Sequence, residues 1–109
     1  MAWLGRDGRV LASLTVASSH ADRRRGLLGR DGYEGALLLQ PCRSVHTVRM
    51  RFPIDVAHLD ESLVVLRVRT MPPWRLGVWV PGARAVLEAE AGAFASWELK
   101  VGDQLEVRD

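Results

Sequence analysis

Lysine and cysteine are nearly missing from this chain: Lys100 and Cys42 are the only examples among 109 residues. A single thiol can form neither an internal disulfide nor a multi-cysteine metal site, which agrees with a reducing, cytoplasmic setting. No stretch approaches the ~20 apolar residues that a membrane span needs, and the opening MAWLGRDGRV lacks the charged-then-apolar order of a signal peptide. There is no phosphate-binding glycine loop and no nucleotide fingerprint. His20, His46 and His58 fall in different segments without H-x-H or HExxH spacing. Internal repeats and low-complexity tracts are also lacking. The expectation is a chain without cofactor, metal or transmembrane segment.

A large excess of either charge is lacking as well. The formal net charge is +2, and the arginines are scattered among thirteen acids, so the basic bias reads as genome composition and not as a nucleic-acid surface. The one dense basic run is Arg23-Arg24-Arg25. The partners expected are a small ligand or a protein, with no nucleic acid and no membrane, for a monomer or weak homodimer.

What is present is enough apolar content, 48%, for one core in one domain spanning residues 1–109. Residues 10–16 (VLASLTV) alternate loosely and follow an Asp7-Gly8 turn signal, so a strand is expected there with Trp3-Leu4 as its hairpin partner. Ser18-Ser19 followed by Asp22 resembles a capping box and predicts one helix over residues 20–28, stopped by Gly29 and Gly32. Residues 36–39 (ALLL) read as a strand buried on both faces. Residues 63–70 and 84–91 alternate as strands, the second placing Glu88 and Glu90 on one side. Two acids spaced so are read as a solvated face. Residues 71–83 (MPPWRLGVWVPGA) are too rich in proline and glycine for a regular element. Residues 97–107 read as a last β segment broken at Gly102-Asp103. The class is mostly β (α+β), a small antiparallel β-barrel or sandwich with one main helix in the N-terminal third.

Residues 44–60 (SVHTVRMRFPIDVAHLD) concentrate polar chemistry in an apolar run. If residues 44–52 are extended, His46, Val48, Met50 and Phe52 share one face and place His46 on the apolar side. Pro53 marks a strand start, bend or edge. Asp55 then interrupts a buried strand. An unpaired carboxylate there is too costly, so arginine or backbone N–H groups should hold it.

Three separated signatures coincide: RRRGLLGR at residues 23–30, HTVRMRFPIDVAHLD at 46–60, and AVLEAEAG followed by KVGDQLEV within 85–107. In this order and spacing they resemble the domain of unknown function 192 family, over about residues 20–107. The resemblance implies a compact, mostly β single domain with no assigned activity. Many members carry a Phe-Trp-Met-Lys-Asn-like sequence where this chain has residues 45–50. Met50 and Pro53-Ile54-Asp55 match that form, and roles resting on the Lys or Asn do not transfer. Members also commonly begin with an export signal, which this chain lacks, so an extracytoplasmic location is not inherited.

The best chemical cluster joins His46, Asp55, Arg25 or Arg30, and Glu88. It reads either as a structural ion-pair set pinning the helix to the sheet or as a small polar pocket in which histidine acts as acid, base or ligand. Met50, Trp74 and Trp79 complete the ligand-binding candidates. The tryptophan loop either folds onto the core or forms a recognition surface, and packing is favoured. Cys42, four residues before His46, is expected to be an inert thiol. The leading function is a noncatalytic ligand- or partner-binding accessory module. The alternative is an enzyme working through His46 and Asp55, the only catalytic candidates.

Overall fold

Asp7 and Gly8 both take left-handed backbone, with φ of 53° and 80°, the conformation a two-residue hairpin turn requires. They join β1 (Ala2–Arg6) to β2 (Arg9–Ala17) in the computed structural model, which describes residues 2–109. Then follow α1 (His20–Arg25), β3 (Ala36–Leu39), β4 (Ile54–Leu59), β5 (Val65–Met71), β6 (Ala85–Glu90), α2 (Ala93–Ser96) and β7 (Glu106–Arg108). The strands form one seven-stranded sheet in the order β5-β4-β6-β3-β2-β1-β7.

Two features correct the expectation of an antiparallel barrel or sandwich. The β2–β3 pair is parallel, because the chain crosses over through α1 before returning to the sheet, so the sheet is mixed. It is also not closed. Val64 bridges Gln104, and the Val65 and Leu105 N–H groups donate to the Asp103 and Leu63 carbonyls, but no ladder joins the edge strands β5 and β7. The helical content is two short elements in place of one main helix. α1 ends at Gly26 (φ 50°), earlier than the expected Gly29, because a left-handed residue there stops the 3.6-residue repeat. Ser19 does cap it, accepting from the Asp22 N–H at 3.1 Å. Most of the expected last β segment, residues 97–107, is turn and irregular chain following α2, leaving only β7. No helix among the described residues is long and apolar enough to cross a membrane.

β3 and β4 are buried on both faces, as their unbroken apolar runs dictate. One core holds Leu38, Ala57, Leu59, Leu87, Phe94 and Leu105, and the other holds Leu27, Leu39, Met50, Phe52, Ile54, Val56 and Val86. Alternation along β4 sends Asp55 toward the first and His58 toward the second. His58 is fully buried, and neither ring nitrogen has a hydrogen-bond partner among the described residues. Burial, with Arg67 and Arg69 adding to it, pushes its pKa below 6.5.

Asp55 is 4% exposed and held by no arginine. Thr70, directly opposite on β5, donates its hydroxyl to Oδ1 at 2.7 Å, while the Gly92 and Phe94 N–H groups donate to Oδ2 at 2.9 and 3.0 Å. The carboxylate therefore fastens the start of α2 to the sheet. Its partners are neutral, so charge alone is not what it supplies. We expect Asp55→Ala, which orphans two N–H groups, to cost about 3 kcal/mol. Asp55→Asn keeps one oxygen for those donors and should cost only about 1 kcal/mol. Urea midpoints of the two variants check this, and equal losses would contradict the geometry.

Candidate functional site

Thr47 is the hub of the irregular part of the chain. It is fully buried, and its hydroxyl donates to the Pro72 carbonyl at 2.6 Å while accepting from the Arg75 N–H at 2.9 Å. Its own N–H donates to the Arg75 carbonyl, and its carbonyl accepts from the Met50 and Trp74 N–H groups. His46 bridges Leu76, and Ser44 donates to the Val78 carbonyl at 3.2 Å. Gly77 passes so close to the Val45 carbonyl that any Cβ would collide with it. Residues 44–47 and 75–78 thus form a short irregular ribbon.

That ribbon corrects the expectation that residues 44–52 are a strand. The Met50 N–H to Thr47 carbonyl bond makes a turn, and Arg49 adopts a left-handed φ of 67°. Thr47 and not His46 therefore points inward, while Met50 and Phe52 still reach the core. His46 is exposed, its Nδ1 accepting from the Val48 N–H at 3.2 Å.

Across from this ribbon, α1 and the turn after it stand over the sheet. Leu27 inserts into the second core, and its neighbours Arg23, Arg24, Arg25 and Gly26 form the lip of a cleft of about 210 Å³. Leu39, Met50, Cys42, Ser44, His46 and Glu88 complete its lining. Glu88 stands on the floor, paired across the sheet with Val56 on one side and Leu37 on the other. It is 4% exposed, which overturns the reading of Glu88 and Glu90 as a solvated pair; only Glu90 is exposed. The central position of β6, covered on this face by α1 and its turn, is the reason.

No ion pair among the described residues involves Glu88. Burial alone pushes its pKa from 4.5 to about 7. A Cβ on Gly26 would stand 3.4 Å from its Oε1, so the absent side chain leaves room above the carboxylate. Cys42 is half-buried, and its thiol donates to the Ser44 carbonyl at 3.2 Å. Burial raises its pKa, the Glu88 charge raises it further, and Arg23 opposes.

The cleft therefore brings together Arg25, His46, Met50 and Glu88 of the expected set. It leaves out four others. Asp55 lines a separate depression with Thr70, Gly92 and Phe94. Arg30 lies over the Tyr33 ring, 5.3 Å from its centroid. Trp74 and Trp79 are 62% and 69% exposed, so the expectation that they pack on the core is corrected. The proline- and glycine-rich loop is held by backbone bonds to Thr47 and not by its aromatics. Cys42, Gly26, Arg23 and Arg24 were missed as cleft residues. The RRRG sequence was a signal for them, since glycine directly after a basic turn both ends the helix and clears space. No group of three or more His, Cys, Asp or Glu among the described residues has the arrangement to hold a metal ion.

The family model DUF192, described as an uncharacterised group, matches residues 1–107. A UPF0127 protein of Pyrococcus horikoshii is 30% identical over 97 residues, covering 83% of this chain and 83% of its own length. A crystal structure of a protein of unknown function from Novosphingobium aromaticivorans has a TM-score of 0.80 at 20% identity, covering 96% of this chain and 82% of that one. One from Sinorhizobium meliloti, described as a candidate transcription regulator, has a TM-score of 0.81 at 18% identity, covering 97% and 91%. These two structures are similar in fold.

Two expectations follow from the cleft. Between pH 4.5 and 7 the folded state keeps a proton on Glu88 that the unfolded chain has lost, so this contribution is full below pH 4.5 and disappears as pH rises through 7. Glu88→Gln should therefore leave stability near pH 4.5 almost unchanged and raise it at pH 8 by up to about 3 kcal/mol. His58 works in the opposite direction, losing stability as pH falls below 6.5, so the comparison must be made variant against parent at each pH. Denaturant midpoints across pH 4–9 provide the check. Cys42 should react with iodoacetamide at neutral pH much more slowly than a free thiol, and its rate should rise in Glu88→Gln, where the carboxylate charge is gone.

Proposed function

The chain belongs to the DUF192 family, and we propose that its Glu88 cleft binds a small ligand carrying a cationic or hydrogen-bond-donating head for Glu88 and an anionic end for the arginines of α1. The observation that carries this reading is a carboxylate nearly removed from water with no protein group to pair with it. Such a group is costly in a structural role and is characteristic of binding sites. Asp55 shows the contrast within the same molecule, since every requirement of that carboxylate is met by the protein.

The cleft, at about 210 Å³, is smaller than the roughly 300–1,000 Å³ of pockets for drug-sized ligands, so the ligand is metabolite-sized. Arg23, Arg24 and Arg25 form no ion pairs with acidic residues among the described residues; Arg23 donates to the Ser18 carbonyl and Arg24 meets His20 Nε2 at 3.0 Å, so the Arg25 guanidinium is the one most open to a carboxylate or phosphate. Met50 and Leu39 supply the apolar wall. The reading is of a noncatalytic accessory module, a monomer or weak homodimer, acting without a cofactor in a reducing cytoplasm where Cys42 stays a thiol.

An enzyme using His46 with Asp55 would need both in one site, and they line different depressions. A carboxyl group poised near neutral pH does suit acid–base chemistry. A second titratable group within hydrogen-bond reach of Glu88 would be needed to make that the leading reading.

A thermal-shift screen of amino acids, amino-sugar phosphates and other small zwitterions tests the proposal. Saturable binding at a hundredfold excess over Kd adds about 2.7 kcal/mol to folded-state stability, a shift on the order of ten degrees for a domain of this size. We expect a hit whose Kd weakens at least tenfold in Glu88→Gln and in Arg25→Ala. A compound that shifts parent and Glu88→Gln equally would sink the assignment, as would a screen with no saturable response.

A further inference from the structure

We propose that the loop over residues 72–81 is a docking surface for anionic phospholipid. This rests on observations separate from the Glu88 cleft. Trp74, Leu76 and Trp79 are 62%, 78% and 69% exposed, three large apolar side chains turned to water within six residues. The loop that presents them is not loose. Thr47 fixes it at Pro72, Trp74 and Arg75, and Ser44 fixes it at Val78. Trp74 is held in a left-handed conformation, φ 66°, costly for a bulky residue.

Charge selects the partner. Residues 35–54 and 62–87 contain seven of the chain's arginines and none of its thirteen acids. Arg75 follows Trp74 in the chain, and Arg43 and Arg84 share one shallow depression with Trp79. The loop is therefore apolar at its tip, is flanked by Arg43, Arg75 and Arg84, and carries no acid of its own, so its partner carries negative charge around an apolar interior.

Among anionic partners, a bilayer fits best. Leu76 is the most exposed of the three and has no ring on which a base could stack, which disfavours single-stranded nucleic acid. Tryptophan suits the headgroup region, and aliphatic side chains suit the acyl boundary beneath it. Arginines near an anionic leaflet add attraction that fades within a Debye length. No helix among the described residues is long and apolar enough to cross a bilayer, and a loop of this kind meets a membrane by its surface.

The test is co-sedimentation of the full chain with phosphatidylcholine vesicles, with and without phosphatidylglycerol. We expect binding only to the anionic vesicles, weakening with added salt. A Trp74→Ser/Leu76→Ser/Trp79→Ser variant should lose binding at least tenfold with an unchanged melting midpoint, since all three side chains are exposed. Should that variant fold poorly, two readouts replace it: Arg43→Glu/Arg75→Glu, which should abolish binding, and quenching of parent tryptophan emission by brominated lipid. No binding to anionic vesicles, equal binding by a folded loop variant, or absence of quenching would each overturn the proposal. So would displacement of the protein from vesicles by a single-stranded oligonucleotide or polyglutamate that binds the same loop more tightly.

Discussion

One buried hydroxyl group organises the irregular part of this molecule. Backbone groups in irregular segments need hydrogen-bond partners as much as those in strands do. Residues 44–53 and 72–84 have no ladder to supply them. Thr47 substitutes for one: its hydroxyl both donates and accepts, its N–H and carbonyl are also used, and two loops far apart in sequence become one body. Valine, of nearly the same shape, would fill the site but leave the Pro72 carbonyl and Arg75 N–H unmatched. Every feature of functional interest on this side sits on that knot. The His46 edge of the cleft lies one residue before Thr47, and the exposed Trp74 hangs from its carbonyl.

The two carboxylates buried in the sheet show how position decides role. Asp55 and Glu88 are on adjacent strands one register step apart, since Asp55 pairs with Ala89 and Val56 pairs with Glu88. Alternation sends them to opposite faces. Asp55 emerges where the chain leaves β6, and the free N–H groups at the start of α2 converge on it. Glu88 emerges under α1 and the turn after it, where apolar Leu27 and a bare Gly26 lie nearby, and the arginines of the last turn stand at the lip without an ion pair to it among the described residues. The same chemical group is thus a structural pin on one face and an unmatched charge on the other. Sequence alone could not separate these cases, because both lie in apolar runs. The difference is made by segments 35 or more residues away.

What could be read from the residues followed the strength of local periodicity. The Asp7-Gly8 hairpin, the Ser19 cap, the doubly buried β3 and the strand after Pro53 were all legible, since each depends on near neighbours. The parallel β2–β3 pairing and the open edge were not, because strand order is set by long-range burial. Residues 44–52 misled for a specific reason. Val48, Met50 and Phe52 alternate as a strand would, but the buried hydroxyl of Thr47 interrupts the period, and a left-handed Arg49 restores an inward path for Met50 by a turn. In the site, Arg25, His46, Met50 and Glu88 were named from sequence and do line one cleft. The separate reading of Glu88 and Glu90 as a solvated face fails for Glu88, which is buried.

The cleft and the tryptophan loop share a mechanical logic. α1 has six residues, too few to be stable as an isolated helix. It stands because Ser19 caps one end and Leu27 is anchored in the core just past the other. The arginine lip can therefore adjust without disturbing the sheet, whereas Glu88 on a central strand cannot move. In the proposed reading, a buried carboxylate beneath a basic lip carried on so short a helix would let a ligand supply the missing partner first and recruit the arginines second. The opposite wall of the cleft is the ribbon tied at Thr47, which also carries the exposed aromatics. A ligand pressing on His46 and Ser44 thus presses on the segment paired with Leu76 and Val78. Cleft and loop are two sides of one ribbon, so the proposed ligand and the proposed bilayer would both bear on the bonds that join residues 44–47 to 75–78.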